Sequence, residues 1–370
     1  MSKLFSPYTL GDLTLENRIV IPPMCQYSAR DGLATDWHLM HYGQLALSGA
    51  GLLIVEATAV EPEGRISPCD LGLWSDETQD ALARVLGAVR RYSSMPLVLQ
   101  LAHAGRKAST GLPWEGGDPI GPEQGGWVPC GPSCAAYDEA STPPRQLDAE
   151  GLRRVREAFV QATRRAASLG FEGVELHCAH GYLLHEFLSP LTNTRTDAYG
   201  GSLDNRMRLA LEIFEAMRQE LPVGKLLGVR ISATDWVEGG WDLDQSIALT
   251  RELKQRGCAY IHVSSGGLSP RQKISLGPGY QVDFAEAIRK ATGLPTIAVG
   301  LITSARQAEE IIATGQADLV ALGRAMLYNP RWPWHAAAEL GAQVLAPPQY
   351  LRCQPREYKA LLRAMEQGEG

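Results

Sequence analysis

Eight short, nearly continuous apolar runs, each followed by a longer stretch of helical periodicity, restrict this chain to very few architectures. The apolar or β-branched runs fall at 18–23, 52–57, 97–102, 174–177, 226–231, 260–263, 296–300 and 319–322. Runs of that kind suit parallel strands covered on both faces. Amphipathic segments follow at 36–48, 76–92, 148–169, 205–220, 243–256, 282–291, 304–314 and 330–340. Hydroxyl or acidic starts, as at Ser75-Asp76 and Thr303-Ser304, open some of them, and Gly170, Gly257 and Gly315 punctuate their ends. The alternation predicts an α/β fold, a single parallel (β/α)8 TIM barrel rather than an open sheet.

Leu13-Thr14-Leu15, after a Gly11-Asp12 turn, predicts a small N-terminal hairpin over the barrel floor. The largest irregular stretch, 104–144, is a long loop after strand 3, and its Gly, Pro and Trp content predicts that it is ordered. Barrels absorb chains of this length, and no low-complexity tract or repeat interrupts this one. Residues 1–370 therefore read as one domain. The tail, 345–370, carries PPQYLRC, rich in residue types favoured at subunit interfaces, and predicts a homodimer or a dimer-based oligomer.

A formal net charge of -6, with no basic run, argues against nucleic acid as a partner. No apolar run approaches the ~18 residues of a membrane span, and the start MSKLFSPYTL lacks the apolar core of a signal peptide. The 7 cysteines form no disulfide framework, and Cys130 with Cys134 has no further cysteine near enough for a metal or cluster site. The expectation is a cytoplasmic protein.

In this fold, chemistry gathers at the C-terminal ends of the strands. There the sequence places Pro23-Met24-Cys25, Ala57, Gln100, His177 with His180, Arg230, Gly300 and Gly323-Arg324. Two imidazole N–H groups can hold a carbonyl oxygen that gains negative charge during reaction, though one histidine can equally be structural. A metal hydrolase built on His177 and His180 is the reading from another class, but no third ligand stands at a usual spacing, so no metal is expected. Tyr182 carries a phenol that can donate a proton, or it packs at the loop base. Arg230 can supply fixed positive charge to an anionic cofactor or pair with a loop carboxylate. Gln100 suits the edge of a pyrimidine-like ring. Gly300 and Gly323 permit close backbone approach to a phosphate that Arg324 can pair with. No G-x-G-x-x-G opens a nucleotide-binding unit, so a nicotinamide is expected as a visitor. Cys25 lacks an adjacent base and reads as a thiol near the cofactor's edge, or as an inert one. Tyr27 either lines the pocket or covers it.

Read together, these segments resemble the Old Yellow Enzyme family of flavin-dependent ene-reductases, in its bacterial subgroup of xenobiotic reductases and thermophilic-like members. PPMCQY at 22–27, EATAV at 56–60, QLAHAGRK at 100–107 and ELHCAHGYLLHEFLSP at 175–190 carry the likeness. NTRTDAYGGSLDNRMR at 193–208, RISATDW at 230–236, VGLIT at 299–303 and ALGR at 321–324 extend it in the family's order over residues 4–354.

The resemblance implies an NADPH-dehydrogenase-type enzyme with tightly bound, non-covalent FMN and with NADPH or NADH as transient reductant. It implies reduction of the activated C=C bond of α,β-unsaturated carbonyl compounds, by hydride to the β-carbon and a proton to the α-carbon. Nitro compounds or nitrate esters are the alternative substrates. Ala57, Gln100 and Arg230 would contact the isoalloxazine, with Pro23, Met24 and Cys25 against its other parts. Gly300, Gly323 and Arg324 would hold the phosphate. His177 and His180 would bind the substrate carbonyl and Tyr182 would donate the proton. Cys25 would tune the potential, while Tyr27 and Lys107 line the pocket and Arg352 reaches that of a neighbouring subunit. Two positions depart from the pattern. Cys353-Gln354 stands where relatives often carry an aromatic, and Val299 where some xenobiotic reductases have tryptophan. A 2,4-dienoyl-CoA reductase would need an iron–sulfur cysteine cluster, yet after Cys258 only Cys353 follows.

Overall fold

The computed structural model describes residues 2–365. Two three-residue strands come first, β1 (Tyr8–Leu10) and β2 (Leu13–Leu15), paired antiparallel as the expected hairpin. The barrel begins with β3 (Ile19–Ile21), β4 (Leu52–Ala59) and β5 (Leu97–Ala102). A two-residue ladder, β6 (Cys130–Gly131) with β7 (Arg145–Gln146), braces the long loop. The barrel resumes with β8 (Gly173–Cys178), β9 (Leu226–Ser232), β10 (Ile261–Ser264), β11 (Thr296–Val299) and β12 (Leu319–Ala321). Every adjacent barrel pair is parallel, and β12 returns to β3 to close the ring. Near-complete burial of these strands explains their unbroken apolar runs.

The hairpin plugs the floor. Leu10 and Leu15 pack with Val20, Leu52, Val98, Leu226 and Leu319 in one buried cluster. A second, larger core lies between the strands and the outer helices.

The helices start where short polar side chains accept the first free backbone N–H groups. Ser75 accepts from Thr78 N to open α2 (Asp76–Arg90), the helix that follows α1 (Asp36–Ala46). Asp148 accepts from Gly151 N before α3 (Ala149–Ser168). The expected ends at Gly170, Gly257 and Gly315 all lie in the left-handed region.

Three differences from the sequence reading have local causes. A six-residue helix, α4 (Leu183–Leu188), follows β8 directly; every residue in it is buried, so it shows no polar face. Ser202 rather than Asn205 opens α5 (Leu203–Glu220), by accepting from Asn205 N. After α6 (Leu243–Gln255), α7 (Val282–Thr292) and α8 (Ala305–Ala313), the expected helix at 330–340 has a short predecessor. That predecessor is α9 (Gly323–Tyr328), separated from α10 (Trp332–Glu339) by extended Asn329 before Pro330.

The long loop is ordered by three short 3-10 turns and by Arg106, whose guanidinium donates to the carbonyls of Ala135, Ala136 and Leu268. At the C-terminal end, β13 (Val344–Ala346) pairs in parallel with β14 (Leu362–Ala364), folding the tail back on its own chain.

Candidate active site

The barrel geometry brings Gln100 on β5, His177 on β8 and Arg230 on β9 to one mouth, all buried. His177 stands opposite Arg230 in register. Arg230 Nε has no hydrogen-bond partner among the described residues. A buried guanidinium with a free N–H can donate to a group bound in the mouth.

The second half of the mouth is built by β11 and β12. Gly300, Gly323 and Arg324 line one cavity of about 170 Å³, with Ser264, Gln281 and Thr303. Gly300 has φ +126°, and a Cβ there would stand 2.8 Å from Gln281 Nε2, so the position demands glycine. Arg324 is exposed at the cavity edge. Met24 Sδ lies 3.7 Å from where a Cβ on Gly323 would stand, which joins the end of β3 to the end of β12.

Beyond Pro23, Cys25 and Tyr27 interact through their side chains. Burial, followed by the charges of Asp70 and Glu56, pushes the Cys25 thiol well up, so the sulfur stays protonated. A protonated thiol is a poor nucleophile. Tyr27 sits in the left-handed region at φ +49° and meets the Trp114 ring edge-on at 6.1 Å. Ala57 lines a small recess with Tyr182, Ala102 and Asp70.

The β8 strand ends at Cys178, and His180 adopts φ +60°, which turns both imidazoles to the mouth with ring centroids 5.2 Å apart. Ala179 N donates to His177 Nδ1 at 3.3 Å, leaving Nε2–H as the donor of the neutral ring. His180 Nε2 lies 2.7 Å from Ser264 Oγ; if that hydroxyl donates, Nδ1–H is the free donor. Burial, then the charge of Arg230, holds both rings well below the usual imidazole range, so both are neutral donors. No cluster of three or more His, Cys, Asp or Glu residues suited to a metal ion occurs among the described residues.

Tyr182 completes the group, its ring 5.2 Å from that of His177. Burial first, then the charges of Cys25 and Tyr27, pushes its phenol well up, so the proton is retained. Gly181, at φ +75°, makes the turn before it; a Cβ there would stand 2.3 Å from Gly267 O. His185 fixes the same turn, accepting from Gly181 N at Nδ1 and pairing through Nε2 with buried Asp235 at 2.8 Å. Lys107 Nζ donates to His180 O and Gly267 O and lies 5.1 Å from the centroid of the Tyr182 ring. Burial brings its ammonium down to about 8. Lys107 thus holds the turn that carries His180 and Tyr182.

Sequence reasoning missed the support beneath the site: Glu175, His262, Ser264, and the His185–Asp235 pair. A glutamate inside an apolar strand, as in VELHC, was the available signal. Arg352 is exposed, in the 3-10 turn Pro348–Cys353 of the tail.

Residues 3–343 match the model of the NADH:flavin oxidoreductase / NADH oxidase family. The chain belongs to this family. An NADPH dehydrogenase of Geobacillus thermodenitrificans is 45% identical over 94% of this chain and 98% of its own length. An NADPH dehydrogenase of Listeria monocytogenes is 46% identical over 95% of this chain and 99% of its own. Among solved structures, morphinone reductase superposes with a TM-score of 0.76 at 29% identity, covering 99% of this chain and 94% of that one. As a member of this family, the Old Yellow Enzyme group, the chain is a flavin-dependent NAD(P)H oxidoreductase acting on activated carbon–carbon double bonds. Among the described residues, no helix is long and apolar enough to cross a membrane.

Proposed function

We propose that the flavin is FMN, and that the enzyme reduces α,β-unsaturated carbonyl compounds with NADPH or NADH as the transient reductant. The buried Arg230 guanidinium, with no acceptor for Nε among the described residues, carries this reading. Gln100 and Ala57 would flank the ring system with Arg230, and the cavity at Gly300, Gly323 and Arg324 suits a single phosphate group. Bound FMN would supply the hydride that reaches the substrate's β-carbon. The chain's own residues do the rest. His177 and His180 hold the carbonyl oxygen and favour the negative charge that gathers there, and Tyr182 gives its proton to the α-carbon. Purified protein should be yellow and release FMN rather than FAD on denaturation. Folded, colourless protein that takes up no added FMN would overturn the reading.

Cys25 we assign to tuning the potential. Cys25→Ser should keep turnover while moving the flavin midpoint potential, read by dye-equilibrated titration. An unchanged potential with both half-reactions lost would point instead to a covalent or structural role. All seven cysteines are free thiols, which supports a reducing, cytoplasmic setting.

The tail's pairing of β13 with β14 supports one domain, and the surface beside it supports a dimer. Trp37 and Met40 on α1, Leu327 and Tyr328 on α9, and Tyr350 on the tail are exposed apolar side chains. Arg331 ties these elements together, donating to Gln44 O and lying 5.6 Å from the Tyr350 ring centroid. Tyr328 alone is 93% exposed, a poor arrangement for a lone subunit. In a twofold dimer across this face, Arg352 would enter the partner's mouth. Arg352→Ala should then lower kcat/KM for enones about tenfold, the worth of a charged hydrogen bond. Heterodimers of Arg352→Ala with Tyr182→Phe subunits should regain one intact site. An active dimer insensitive to Arg352→Ala would defeat the exchange, and a fully active monomer the dimer itself.

A further inference from the structure

Directly below the mouth the barrel interior is polar, where branched apolar side chains ordinarily fill such layers. Glu175 lies at the centre of this layer, wholly buried. Its Oε1 accepts from Gln100 Nε2 at 2.7 Å, and its Oε2 lies 3.1 Å from His262 Nδ1. His262 Nε2 has no partner among the described residues, and burial with the nearby Arg230 charge holds that ring below the usual imidazole range. A neutral imidazole donating from Nδ1 satisfies both observations. Burial works to protonate Glu175, but His262, Arg230 and Gln100 together hold its carboxyl below the usual carboxylate range. The layer therefore contains an anion. Of the charges acting on Arg230, that of Glu175 does most to offset the cost of burying its guanidinium.

Two consequences reach the mouth. An amide that gives its N–H to a carboxylate cannot reverse without setting oxygen against oxygen, so Gln100 keeps its own oxygen as the free acceptor. An anion this close also offsets the positive charge that Arg230 offers to anything bound above it. Tyr260, packed among the floor residues, abuts Gly228 beneath this layer. A Cβ on Gly228, the register partner of Glu175, would stand 2.1 Å from its ring.

We propose that Glu175 is a positioning residue for the flavin, presenting the Gln100 amide oxygen to it and tempering Arg230 so that the reduced, anionic cofactor is not bound too tightly. The inference rests on the FMN reading above. Glu175→Gln separates charge from shape, since the new amide still accepts from Gln100. Its midpoint potential should rise by about 30 mV, equal to about tenfold tighter binding of reduced over oxidised cofactor. Glu175→Leu removes the acceptor as well, and oxidised FMN should bind its apoprotein about tenfold more weakly. Titrating apoprotein with FMN, and measuring the potential of the reconstituted protein, reads both effects without turnover. A Glu175→Gln potential equal to that of wild type would overturn the assignment. If Glu175→Leu does not fold, that potential decides alone. Wild-type protein that binds no FMN would instead defeat the cofactor reading.

Discussion

Tyr182→Phe should slow enone reduction by about a hundredfold or more, the usual worth of a positioned general acid. Reduction of the flavin by NADPH should remain close to wild type in the same protein. The asymmetry follows from the geometry. Tyr182 is pressed against His177 and holds its proton firmly because it is buried near other groups that disfavour its anion. Removing the hydroxyl deletes the proposed donor but keeps the ring that packs on His177 and faces Lys107. Stopped-flow measurement of each half-reaction separates the two effects. Equal enone rates in wild type and variant would remove Tyr182 as donor and promote Tyr27 or water.

His177→Ala should lower kcat/KM for enones by about a hundredfold, in the range found when one donor to a developing oxyanion is lost. Binding of phenols to the oxidised enzyme, followed by the flavin absorbance, should weaken as well. The contact between Ala179 N and His177 Nδ1 leaves a single N–H to offer, so no second donor on this ring can compensate. Because burial and Arg230 keep both rings neutral, activity should show no step across the usual imidazole titration range. Such a step, absent in His177→Ala, would contradict the neutral-donor assignment.

Much of this arrangement was legible in the chain because parallel barrel strands leave a plain trace. Buried on both faces, 52–57 and 226–231 carry almost no polar residue, and the motifs at their ends then fall on one rim. The hairpin was legible for a similar reason, its Leu10 and Leu15 facing one core. What escaped was set by contacts distant in sequence. The α4 helix has no exposed face to create a period, and its place depends on Asp235 holding His185. Glu175 reads as an oddity within a strand until closure of the barrel brings Gln100 and His262 to it. Lys107 could be placed near the site, but its bonds to His180 O and Gly267 O come only from folding the long loop.

On the proposed function, electrons pass from a nicotinamide through this mouth to the β-carbon of an enone. Anaerobic enzyme, reduced with one equivalent of NADPH deuterated at its transferable position, can be mixed with 2-cyclohexenone. The yellow absorbance should return, with one equivalent of cyclohexanone carrying the label on the β-carbon. Reduced enzyme that stays bleached with the enone and recovers only when air is admitted would contradict that function.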